Sequence, residues 1–159
     1  MTDTAALVKR LEEATVGGRG LDGLIAFTLG WRFNGCREYQ HIESWEKIAG
    51  HWYSPEQLRL SLVERLKLAQ DVENFRSPPF YTTLLDAALM LVGEERRWVL
   101  ERCRVGLWPS RDYVFHCCVY TELDEAVGPS GVSRAPTASL AVCIAALRAR
   151  AMTQAQEQE

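Results

Sequence analysis

Apolar residues recur at helical spacing in some stretches of the chain and at alternate positions in others, and this pattern predicts the elements in order. Leu7, Val8, Leu11 and Ala14 mark a first helix, with Asp3 as its cap and Lys9 and Glu13 paired one turn apart. Gly17, Gly18 and Gly20 end it. Leu24, Ile25 and Leu29 mark a second helix over Leu21 to Leu29, and Gly30 stands where a left-handed C-terminal residue belongs. Trp31-Arg32-Phe33 starts a strand, and Asn34-Gly35 is a tight-turn signal. The stretch from Cys36 to Tyr53 mixes aromatics with both charge signs, and one or two short strands are expected there. Ser54-Pro55-Glu56-Gln57 forms a capping box for a helix running to about Ala69, whose buried stripe would be Leu58, Leu62, Leu66 and Ala69.

Ser77-Pro78-Pro79 breaks the chain. A helix from Thr83 to Val92 follows, ended by Gly93, with Leu85, Ala88, Leu89 and Val92 inward and Asp86 in its first turn. Strands over Arg97 to Leu107 and Tyr113 to Glu122 read as a hairpin. Parity then sorts its faces: if Val99, Cys103, Val105 and Leu107 join Tyr113, Phe115, Cys117 and Val119, one face is apolar. The other carries Trp98, Leu100, Arg102 and Arg104 beside Val114, His116, Cys118, Tyr120 and Glu122. Residues 124 to 136, with Gly128-Pro129-Ser130-Gly131, read as a loop or flap. Thr137 caps a final helix over Leu140 to Ala151, with Arg148 and Arg150 near its C-terminal end, and a polar tail closes the chain.

Together these elements predict one α/β (α+β) domain over residues 1–153, a three-layer α-β-α sandwich with a small antiparallel sheet, an extra helix near 54–70 and a polar tail over 154–159. The 159 residues, 47% of them hydrophobic, suffice for one core. A net charge of -3 argues against general nucleic-acid binding, which needs a concentrated basic surface. Apolar runs such as Leu84 to Val92 fall short of the roughly 18 residues that span a bilayer, so no membrane partner is expected. Five cysteines, at 36, 103, 117, 118 and 143, and a polar opening, Met1-Thr2-Asp3, suggest a reduced, cytoplasmic protein.

Leu11-Glu12-Glu13-Ala14-Thr15, Leu21-Asp22-Gly23-Leu24-Ile25-Ala26 with Leu29-Gly30-Trp31, the block from Pro79 to Leu89 and the helix from Ala141 to Ala151 resemble the phage ABA sandwich domain family. The resemblance covers both ends of the chain and skips the middle. It implies helices on both faces of an antiparallel sheet and an origin in bacteriophages or prophages, hence a bacterial host cell, but no established activity.

No catalytic or cofactor signature accompanies these elements. Cys36, His41 and His51 match no zinc spacing, so neither metal nor cofactor is expected. Gly17-Gly18-Arg19-Gly20 lacks the lysine of a phosphate loop. The face bearing Trp98, Arg102, Arg104, His116 and Tyr120 is the candidate ligand site, because arginine forks grip phosphate or carboxylate and aromatic rings stack on flat ligands. The bland alternative is that these arginines pair with Glu101, Glu122 or Asp124 in solvent. Trp45, Trp52, Tyr53 and Trp108 are candidates for closing a pocket or an interface, although core packing would also use them.

The expected function is therefore a non-catalytic accessory protein. It would bind a small anionic, nucleotide-like ligand, as in sequestering a host nucleotide signal, or a host protein. One alternative is a small hydrolase or transferase using His116 with Glu122 or Cys118, its residues lined up along one strand. Another is a structural module that forms a homo-oligomer.

Overall fold

A computed structural model describes residues 4–34, 39–47, 50–70, 77–104, 113–120 and 128–156. It divides into two compact units, Gly18–Pro79 and Asp3–Gly17 with Phe80–Glu159. Both combine helices with a small antiparallel sheet, so the chain is α+β as expected. No helix among the described residues is long and apolar enough to cross a membrane.

The first unit is organised around three rings. Helix α2 (Arg19–Thr28) ends at Gly30, whose φ of +94° is the left-handed geometry foreseen for it. Strand β1 (Arg32–Phe33) then pairs with β2 (Trp52–Tyr53), setting Phe33 opposite Trp52. Between them Tyr39–Lys47 winds as 3-10 helix with a kink at Ser44, where strands were expected. The reason is a three-residue repeat: Ile42 and Trp45 fall on one side of a 3-10 turn, and both are buried. Trp45 and Trp52 meet edge to face at 5.6 Å, and Phe33 lies 6.2 and 5.4 Å from them. Gly23 makes room for this cluster, since a Cβ there would sit 2.5 Å from Trp45 Nε1. Fully buried Asp22 is held by Arg19 at 3.0 Å, and the Arg19 guanidinium lies 5.1 Å above the Trp45 ring.

The capping box forms as the sequence requires. Ser54 Oγ accepts the Gln57 amide at 3.3 Å, and Gln57 Oε1 accepts the Ser54 amide at 2.9 Å. The helix it starts, α3 (Pro55–Leu58), is a single turn, and α4 (Leu62–Gln70) begins anew. A second box causes the break: Glu64 Oε2 accepts the Ser61 amide at 2.9 Å and Ser61 Oγ accepts the Glu64 amide at 3.4 Å. The Ser61 hydrogen bonds also hold the Glu64 carboxyl below its ordinary value. Two members of the expected inward stripe are thereby turned out, Leu62 64% and Leu66 54% exposed.

The second unit contains α1 (Thr4–Glu13), α5 (Leu85–Leu89), the sheet β3 (Arg97–Arg104), β4 (Tyr113–Tyr120) and β5 (Gly131–Ala135), and α6 (Ala138–Gln156). Strand order is β3-β4-β5, all antiparallel. The loop expected over 124–136 is thus a strand from Gly131, and residues 124–127 lie outside the described part. Val132 and Arg134 alternate with buried Gly131, Ser133 and Ala135, a period-two pattern too short and too poor in apolar side chains to stand out. The layers run sheet, α6, then α1 with α5, so α6 is the middle layer. Every residue from Ser139 to Leu147 is buried. Small residues let the sheet approach it: Ser133 Oγ donates to the Ala141 carbonyl at 2.5 Å, and Gly131 lies against the Ala145 carbonyl.

Helix α5 is shorter than expected. Its N-cap is Leu84, which makes no side-chain cap bond, and Thr83, the expected start, lies in the turn before it. Helix α6 runs past Thr153, whose hydroxyl donates to the Ala149 carbonyl at 3.1 Å. The first three residues of the expected tail are therefore helical, and Arg148 and Arg150 lie inside the helix rather than at its end.

Because a Cβ on Gly131 would overlap helix backbone, Gly131→Ala is expected to cost about 1–3 kcal/mol. Urea denaturation of the two chains measures the difference.

Candidate functional site

The sheet register places the sequence-predicted ligand residues on two faces. Leu100 pairs with Cys117 and Arg102 with Phe115, so Trp98, Leu100, Arg102 and Arg104 share the α6-facing side with Tyr113, Phe115, Cys117 and Val119. His116, Cys118 and Tyr120 share the other side with Arg97, Val99, Glu101 and Cys103. The expected grouping of Trp98, Arg102 and Arg104 with His116 and Tyr120 is therefore corrected. Strand β4 has the faces foreseen for it, and β3 is reversed. The contacts of α6 are with β4 and β5, so the pattern of β3 was not fixed by burial and its register was weakly specified. Arg102 stacks 3.8 Å from the Tyr113 ring centroid.

On the outer face Cys118 Sγ lies 3.7 Å from His116 Nε2, and Glu101 and Arg134 flank His116 on the neighbouring strands. The Arg97 guanidinium lies 5.2 Å over the Tyr120 ring. Loss of hydration raises the Tyr120 phenol above its ordinary value, with Cys118 adding to the shift and Arg97 opposing it. This surface is a strand face rather than a cleft.

Of the aromatic candidates, Trp45 and Trp52 are consumed by the core around Phe33, and Tyr53 is half-buried beside them in β2. Trp108, like Cys36, Glu122 and the Asp3 cap, lies outside the described residues.

A concave site was not anticipated. Val92, Gly93, Glu94, Glu95, Arg96 and Arg150 line a notch of about 470 Å³ where the chain passes from α5 to β3. Gly93 makes the turn with φ +85°. Arg150 reaches it from α6, its Nε donating to the Leu91 carbonyl at 2.9 Å, while Arg96 donates to Thr153 Oγ1 at 3.2 Å. Both acceptors are neutral, and among the described residues neither arginine has an ion pair. Burial lowers the tendency of Arg150 to hold its proton, and the Arg96 charge lowers it further. Two like charges are thus fixed together beside a cavity of ligand size.

A second concavity, of about 460 Å³ between α1 and α6, holds Arg148. Its guanidinium already binds the Glu12 carboxylate and the Val132 carbonyl. The sequence signal for the notch was faint: Arg150 was legible as a helix-end charge, but nothing in the spacing tied it to Arg96.

Burial raises the Cys117 thiol to about 11, so it remains protonated at pH 8. Iodoacetamide at that pH is expected to alkylate half-exposed Cys103 and Cys118 well ahead of buried Cys117 and Cys143, as peptide mapping would show. Stability should likewise decline as pH climbs from about 9 toward about 11, because the unfolded thiol ionises first.

No protein-family model, curated protein or solved structure matches this chain.

Proposed function

We propose that the chain is a non-catalytic binding module that takes a small anionic ligand between Arg96 and Arg150. The observation that carries this reading is a pair of guanidinium groups, each oriented by one hydrogen bond to a neutral acceptor and neither neutralised by a carboxylate, at the wall of a notch of about 470 Å³. A bound anion would relieve their repulsion and accept charge-assisted hydrogen bonds from both forks. Glu94 and Glu95 on the same lining disfavour a highly charged ligand such as a polyphosphate. A carboxylate or a phosphate monoester fits better. Among the described residues the lining has no aromatic ring, so a nucleotide would be held by its phosphate and not by its base. A role in a phage-infected or lysogenic host, with a host nucleotide as the ligand, rests on the sequence resemblance alone.

The second reading, a hydrolase or transferase, is favoured by one contact, that of Cys118 Sγ with His116 Nε2 at 3.7 Å. It requires turnover that His116→Ala abolishes while the fold survives.

Titration calorimetry of the full chain with inorganic phosphate, a dicarboxylate and a nucleoside monophosphate tests the anion site. One of these should bind, and Arg150→Ala or Arg96→Ala should each weaken it by about tenfold or more, as expected for loss of a charged hydrogen-bond partner. Absence of heat with all three at millimolar concentration would sink the reading.

A further inference from the structure

Strand β3 is eight residues long, contains no proline and, among the described residues, has β4 on one side and no strand on the other. Trp98 and Val99 on it are 41% and 42% exposed. Such an edge invites a further strand unless its side chains forbid one. We propose that it pairs with β3 of a second copy of this chain, antiparallel, about a two-fold axis through Val99.

The charge pattern selects that register. A two-fold axis perpendicular to the sheet keeps each residue on its own face, so only positions of equal parity can pair across it. With Val99 opposite Val99, Arg97 meets the Glu101 carboxylate of the second copy and Glu101 meets its Arg97, two complementary pairs on one face. On the other face Trp98 lies opposite Leu100 at both ends, covering apolar surface that is exposed in the single chain. Sliding by two residues either way leaves Arg97 opposite Val99 or Cys103. A further slide in the second direction sets Glu101 against Glu101, a like-charge pair.

Among the equal-parity registers of β3, only this one sets opposite charges against each other. Arg96 and Arg102 fall opposite each other just beyond the five-residue ladder, a like-charge contact outside the paired segment that opposes the pairing without entering it. The product is a single six-stranded sheet.

Sedimentation equilibrium on the full chain tests this directly, with the wild type expected at twice the 18.0 kDa chain mass. Arg97→Glu and Glu101→Arg should each weaken self-association by about tenfold or more, because each places like charges opposite one another at both ends of the ladder. Mixing the two variants should restore a dimer, since every cross-pair then joins opposite charges, and the double variant should dimerise alone. Circular dichroism checks the fold of each variant. If either fails to fold, Val99→Lys, which sets two ammonium groups at the axis, takes its place and should give monomers. A wild type that stays monomeric at millimolar concentration, or a dimer indifferent to these charge changes, would overturn the pairing.

Discussion

The constraint on which the second unit depends is that α6 has no polar face from Ser139 to Leu147. A helix apolar all round cannot lie on a surface, so it must be covered on every side. The sheet supplies one cover and α1 with α5 supply the others. Close approach of the sheet requires small inward residues on β5, which explains Gly131, Ser133 and Ala135 where branched side chains would be usual in a strand. The Ser133 hydroxyl is tolerated there because the Ala141 carbonyl accepts it.

The same constraint explains which parts of the fold could be read from the sequence. Local chemistry was legible wherever a few adjacent residues determine the outcome, as with Ser54 and Gln57 at the start of α3 and Gly30 and Gly93 at positive φ. Where the outcome depended on a remote partner, reading failed. Strand β5 carries little apolar surface because α6 provides it, so its short alternation looked like a loop. The faces of β4 were legible because α6 buries one of them, and those of β3 were not, because α6 packs on β4 and β5. In the other unit the run from Ser54 to about Ala69 reads as one helix because its apolar spacing is continuous. Ser61 and Glu64 repeat the capping chemistry of Ser54 and Gln57 seven residues later, and that local signal overrides the spacing.

The site followed the same logic. Grouping arginines with aromatics along a hairpin required a register, and a slip of one position moved the arginines away from His116 and Tyr120. The anion site proposed above is also lined by arginines, but they come from the turn before β3 and from α6. That juxtaposition is set by tertiary packing alone.

Arg148 and Arg150 provide the sharpest discrimination between structural and functional charge in this chain. Both emerge from the apolar helix just after Leu147, and both donate to a backbone carbonyl of a neighbouring element, Val132 for one and Leu91 for the other. Arg148 also has the Glu12 carboxylate, so its charge is met within the protein and it ties α6 to α1. Arg150 has instead a second arginine beside it, half-buried and at the wall of a notch. Neither Arg96 nor Arg150 forms an ion pair with Glu94 or Glu95, the carboxylates that share the notch lining, so the repulsion between the two guanidinium groups is not offset by a direct contact. The anion proposed for the notch would supply a direct counter-charge to both.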